Sequence, residues 1–216
     1  MSPLGNTKCS NWANYPQNTK GTTGGFLGIN VIVCGGLNEL HEHSDECRIV
    51  APKTTKLLTN MLSKRFDAAS LIIKGKYLWV SGGNNGGGTL SSTEFIDINI
   101  GTTAGPELPT ALEGHKMIDI TDDLTIVIGG SFAGIEKSTT YKYKYKSNHQ
   151  EGHWSDGPTM QYRRRNHAVG VVTDRITLKK FLVVTGGVSE EGTLMSSEIL
   201  FGDSWSKGEI EFNKAY

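Results

Sequence analysis

Apolar residues along this 216-residue chain fall in short runs, and four of those runs end in a pair of glycines. Val31-Ile32-Val33-Cys34 leads into Gly35-Gly36, and Tyr77-Leu78-Trp79-Val80-Ser81 into Gly82-Gly83. Leu124-Thr125-Ile126-Val127-Ile128 leads into Gly129-Gly130, and Phe181-Leu182-Val183-Val184-Thr185 into Gly186-Gly187. The first glycines are 47, 47 and 57 residues apart. A spacing of about 50 residues marks one supersecondary unit used repeatedly. Runs this short, bounded by turn residues, predict strands. No segment sustains an apolar period of 3.6, so the pattern predicts almost no helix.

Other landmarks extend each repeat. Gly157-Pro158-Thr159-Met160 matches Gly105-Pro106-Glu107-Leu108 without a gap, which sets His167 on His115 and Thr173 on Thr121. In the first repeat Met61 takes the place of Met160, Arg65 of Arg164 and Ala68 of His167. Glu46, Glu94 and Glu198 stand 10 or 11 residues past the second glycine and open β-prone stretches; Thr140 has that place in the third repeat. Each repeat therefore reads as four strands. Strand a covers 68–73 or 168–173, strand b is the run into Gly-Gly, strand c follows the glutamate, and strand d lies near Trp154 or Trp205. Tyr141, Tyr143 and Tyr145 alternate with Lys142, Lys144 and Lys146, the period of a half-buried strand. The tyrosines are expected to face a neighbouring sheet and the lysines water.

Composition narrows the function classes. There are 22 basic and 22 acidic residues, so a nucleic-acid groove or an anionic membrane surface has no global electrostatic support. No stretch approaches the roughly 18 apolar residues of a membrane span. The 27 glycines sit at fixed places, as turn-dense all-β structure requires. Residues 1–17 are polar and lack the apolar core of a signal peptide, so either the protein stays in the cell or an export signal lies elsewhere.

Gly-Gly after an apolar strand, a Glu-led strand, Trp, Pro-x-Met, Arg and a small-residue strand together resemble the kelch repeat, from about Trp12 onward. The chain departs from the pattern at Thr102, which replaces Trp, and at Leu112, which replaces Arg; the first unit offers Leu57 and Leu58 near the Trp place. The resemblance implies an all-β, kelch-type β-propeller of four four-stranded blades. The units are 17–63, 64–110, 111–162 and 163–216, within one propeller domain spanning 1–216. Trp12 and Pro16 are spaced as Trp154 and Pro158 are, which makes 1–16 a leftover strand. Kelch rings usually hold more blades than this. The expectation is an incomplete or open ring that self-associates or is closed by missing blades, with a closed four-bladed ring as the alternative.

Candidate chemistry follows. Cys34 and Cys47 sit on neighbouring antiparallel strands, where either a cross-strand disulfide or two buried thiols fit. The Cys-Gly-Gly pattern also resembles that of invertebrate kelch-type proteins thought to be extracellular. A disulfide implies an extracellular location, and free thiols a cytoplasmic one. Cys9 is left over. His41, His43, Asp45 and Glu46 have metal-ligand composition but read as a solvated loop, and no metal or other cofactor is assigned. The glycine pairs and Gly86-Gly87-Gly88 lack the features of a phosphate cradle. His115 and His167 either pack at the blade entry or line a central channel. In ligand-binding kelch propellers, Arg residues between strands d and a, and polar residues after Gly-Gly, bind acidic peptides. That resemblance assigns Arg65, Arg163, Arg164, Arg165, Asn84 and Asn85 to a binding face, which His115 and His167 join if they line the channel; the alternative is that one arginine per triplet braces its blade by hydrogen bonds and the others are solvated. Guanidinium forks suit paired carboxylate contacts.

The expected function is a non-catalytic protein-interaction module that presents its blade-connecting loops to a protein or peptide partner. One alternative is a kelch-like propeller enzyme of the oxidase or sugar-acid epimerase type, for which no catalytic residues map. Another is a structural fragment of a larger extracellular protein.

Overall fold

The computed structural model describes residues 13–146, 151–173 and 176–208. Among them there is no helix, and strands dominate. The chain opens with β1 (Thr19–Lys20), β2 (Thr23–Leu27), β3 (Asn30–Cys34), β4 (Leu37–Asn38), β5 (Glu46–Ala51) and β6 (Thr54–Asn60). β2, β3, β5 and β6 form the first antiparallel sheet in that order, and β1 pairs with β4 beside it. The second sheet is β7 (Ala69–Ile73), β8 (Tyr77–Ser81), β9 (Thr93–Asp97) and β10 (Gly101–Ala104).

The third sheet contains β11 (Lys116–Thr121), β12 (Leu124–Ile128), β15 (Thr140–Tyr145) and β16 (Gly152–Asp156). A small hairpin of β13 (Ser131–Phe132) and β14 (Ile135–Glu136) lies between them in sequence. The fourth sheet is β17 (Ala168–Thr173), β18 (Lys180–Thr185), β21 (Ser197–Phe201) and β22 (Ser204–Gly208). Its hairpin is β19 (Val188–Ser189) with β20 (Gly192–Thr193). These are four propeller-like blades, each wound a-b-c-d from its inner strand. The inner strands β2, β7, β11 and β17 pack in series, and no comparable packing joins β17 to β2, so the blades do not close into a barrel. Trp12 and Cys9 lie outside the described residues; of the leftover strand expected over 1–16, the described part, 13–16, is not a strand, and Asn14 C=O accepts from Thr55 Oγ1 of blade one at 3.3 Å.

Alternation along each strand points one row of side chains at the previous blade and the other at the next. Between blades one and two this buries Ile32, Cys34 and Cys47 against Leu78, Val80 and Ile96. Between two and three, Trp79 and Phe95 meet Tyr141, Tyr143 and Tyr145; Trp79 lies 5.1 Å from Tyr143 by ring centroids. Between three and four, Ile126 and Ile128 meet Leu182, Val184 and Trp205. The tyrosine row thus faces a neighbouring blade. Lys144 is exposed to water, whereas Lys142 reaches Asp203 at the edge of blade four, 3.0 Å away.

The register corrects the alignment made by counting. Val80 pairs with Glu94 and Val184 with Glu198, but Val33 pairs with Arg48 and Val127 with Tyr141. Arg48 and Tyr141, not Glu46 and Thr140, therefore hold the glutamate place. The connection in blade one is one residue longer, and the β5–β6 ladder carries a bulge between Cys47 and Arg48. By the same ladders Thr102 stands opposite Ile96 as Trp154 stands opposite Tyr143, while blade one puts Thr55 there rather than Leu57 or Leu58. Cys34 and Cys47 face each other across β3 and β5 and are joined by a disulfide.

Candidate interaction face

The segments entering each blade and the loops after each Gly-Gly pair lie against one another. The entering segment sends backbone N–H groups to the preceding blade's loop: Arg65 to Ser44 at 3.0 Å, Leu112 to Leu90 at 3.1 Å and Arg164 to Lys137 at 3.1 Å. The second glycine answers with its own N–H. Gly36 donates to Arg65 O at 2.7 Å, Gly83 to Leu112 O at 2.8 Å and Gly130 to Arg164 O at 2.8 Å. Here the glycines have a physical cause. Gly129 has φ +58°, and a Cβ there would lie 2.6 Å from Arg164 O. Only a residue without Cβ fits both the backbone shape and the approach.

Arg65 and Arg164 do not lie on the binding face; they are the arginines that brace their blades. Arg65 is 1% exposed and Arg164 0%. All five N–H donors of a guanidinium are engaged in Arg65. Nε and Nη2 reach Glu94 at 3.1 and 2.6 Å, Nη1 reaches the carbonyls of Gly82 and Ser92, and Nη2 also reaches Ser92 Oγ. Arg164 repeats the brace with Glu198 at 2.9 Å and the carbonyls of Gly186 and Ser196. The glutamates complete it by accepting the entering segment's N–H groups, Leu62 and Ser63 on Glu94, Gln161 and Tyr162 on Glu198.

Blade three dispenses with the ion pair by a coordinated change. Leu112 replaces the arginine and Tyr141 the glutamate, and Pro109, which has no N–H, stands where Leu62 donates. The Tyr141 hydroxyl bonds Thr110 Oγ1 at 3.1 Å.

His115 and His167 are also buried, each 1% exposed, which fits packing at the blade entry and removes them from the binding face. Each leans on the first glycine of the preceding blade, and a Cβ on Gly82 or Gly129 would strike its Cε1. Burial pushes both imidazoles down to about 3, with Lys116 and nearby arginines adding to the effect. Both are held neutral. His115 Nε2 shares a 2.7 Å hydrogen bond with Ser81 Oγ; neither ring nitrogen of His167 has a partner among the described residues.

The remaining assigned residues are at least partly exposed, on different blades. Arg163 is exposed and borders a cleft of about 290 Å³ with Glu190 and Glu191, so its surroundings are acidic rather than a basic patch. Arg165 is half-buried and pairs with Glu136 at 3.1 Å. Asn84 is held by Glu113 at 2.7 Å and caps Gly86 N–H. Asn85 is exposed and borders a polar cleft of about 450 Å³ between blades one and two. That cleft also holds His41, His43 and Lys64, with Glu42 and Asp45 opposite in charge. Lys64, Gln17 and Asn38 on its wall carried no sequence signal, because they come together only when two blades stack. No three His, Cys, Asp or Glu side chains converge as metal ligands among the described residues.

These blades have a counterpart among solved structures. The chain is similar in fold to YjhT. The two superpose with a TM-score of 0.75 over 91% of this chain and 72% of that one, at 15% sequence identity. At that identity the likeness to YjhT shows the fold alone. No family model matches the sequence, and no curated protein matches it.

Proposed function

We propose that this chain is a kelch-type propeller unit acting as a non-catalytic interaction module, which engages a protein or peptide segment on its loop face. The observation that carries the reading is the division of labour within one short segment. Arg65 is locked into its blade, while the adjacent Lys64 points into the polar cleft beside Asn85, His41 and His43. Loops held on a rigid scaffold are the usual place for recognition. The cleft offers cationic, anionic and amide groups together, which suits a peptide of mixed polarity more than a uniformly acidic one. The strongly shifted imidazoles, His115 and His167, are buried against glycine backbone and away from that surface. The Cys34–Cys47 bond fits an oxidising compartment.

Partners captured by the intact chain and identified by mass spectrometry test the reading. The triple variant Lys64→Ala, Asn85→Ala, Arg163→Ala is expected to weaken capture at least tenfold while leaving the fold intact. Undiminished capture by that variant would show that this face is not the site.

A further inference from the structure

The three internal blade junctions are built alike, and the two outer faces of the arc carry the two halves of the same junction. At each internal junction the glycine pair is buried under the next blade's entering segment. A second line of contacts runs nearer the inner strands. Gly21, Asp67, Gly114 and Asn166 occupy equivalent places, all with positive φ. Asp67 N–H donates to Gly21 O at 2.9 Å, Gly114 to Asp67 O at 2.8 Å and Asn166 to Gly114 O at 2.8 Å.

This series stops at blade four. Gly186 and Gly187 are only half-buried, and a Cβ on Gly186 would meet nothing nearer than Leu194 O at 3.7 Å. Gly187 N–H, Leu194 C=O and Asn166 C=O have no partner among the described residues. Their counterparts in the earlier blades are all engaged. The sheet face beyond them is apolar. Phe181 and Phe201 stack at 5.1 Å, Phe201 is 48% and Val172 54% exposed, and Val183 and Ile199 form the next row.

Blade one presents the complement. Thr19 stands where Arg65 and Leu112 stand at the internal junctions. Gly21, at the Asp67 place, has an N–H with no partner among the described residues. Its outward rows are Phe26, Val31 and Val50, then Val33, Arg48 and Leu57; Asn14 and Tyr15 lie at their outer end against Thr55 and Arg48, and Phe26 stays 61% and Leu57 50% exposed.

We propose that the first blade of one copy packs on the fourth blade of another, head to tail, rebuilding the internal junction between chains. In that contact Gly187 N–H reaches Thr19 C=O, Thr19 N–H reaches Leu194 C=O, and Gly21 N–H reaches Asn166 C=O. The apolar rows of the two faces cover each other. The interface is heterologous: it uses a different patch on each copy, and every copy carries both.

Sedimentation of the full chain, alone and as two single-face variants, tests this. Phe26→Asp blocks the first-blade face and Phe201→Asp the fourth; both side chains are exposed within one chain, so the fold tolerates the charge. The intact chain is expected at twice the monomer mass or more. Each variant alone is expected as a monomer with an unchanged circular-dichroism spectrum. Mixed in equal amounts, the variants are expected to form a one-to-one dimer, because one intact face of each kind remains. A monomeric intact chain at every concentration overturns the proposal, since the faces are then left bare or covered by this chain's own residues. A mixture that stays monomeric, or a single variant that stays assembled, overturns it as well.

Discussion

Acid should unfold this protein through its two buried histidines. His115 and His167 have native pKa values of about 3, against about 6.5 in an unfolded chain. The native state therefore binds fewer protons than the unfolded state between those values. Stability is fully present above pH 6.5 and is lost as the pH falls towards 3. At pH 5 each histidine contributes about 1.5 pH units of linkage, or about 2 kcal/mol, and the two together about 4 kcal/mol. That is a large share of a total stability of about 5–15 kcal/mol. Asp67 and Asp119, raised above the ordinary carboxyl value of 3.8 chiefly by burial, act with the opposite sign and offset part of this loss at the acid end of the window. Urea unfolding followed by tryptophan fluorescence at pH 8, 6.5 and 5 reads the effect. With a slope of about 2 kcal/mol/M, the midpoint should fall by about 2 M from pH 8 to pH 5. The double variant His115→Asn, His167→Asn removes both titrating rings and should flatten that dependence, whatever its stability at pH 8. A midpoint independent of pH in the intact protein, or an equal fall in the double variant, would refute the reasoning.

Three further outcomes follow from the junctions and the disulfide. Gly129→Ala, at φ +58° with its Cβ driven into Arg164 O, should cost about 3 kcal/mol or more by thermal unfolding; Gly28→Ala, at φ +64° with open space around it, should cost only about 1–2 kcal/mol. Arg164→Met leaves Glu198 charged and buried and should cost about 3–5 kcal/mol, while adding Glu198→Gln should recover part of that loss because the amide oxygen still accepts from Gln161 and Tyr162. A double variant less stable than the single one would contradict that account. Reduction of Cys34–Cys47, which closes a 13-residue separation, should lower stability by about 3 kcal/mol in urea, with neither thiol alkylated before reduction.

Much of the architecture was legible before any coordinates. The recurrence of Gly-Gly after short apolar runs carried the blade count and the all-β class, because the period comes from a unit that cannot bury both faces alone. The alternation of Tyr141, Tyr143 and Tyr145 with lysine carried the orientation of β15, because a strand's side chains point to opposite faces. The αL series was also visible in principle: Gly21, Asp67, Gly114 and Asn166 are all residue types that tolerate positive φ. What counting could not supply was cross-strand pairing. One extra residue in the first connection moved Arg48 into the place that Glu46 claimed by spacing.

The chain's pattern of apolar runs and glycines by itself determined the four sheets and the close approach between successive ones, since local strand chemistry and a missing Cβ are properties of single positions. The fate of each arginine and histidine was decided only by stacking. Arg163, Arg164 and Arg165 are chemically alike and adjacent, yet one is exposed, one is fully buried with Glu198 and one pairs with Glu136. Burial depends on which strand folds over a side chain, and the partners, Glu198 of the same blade and Glu136 of the preceding one, lie about 30 positions away in the sequence.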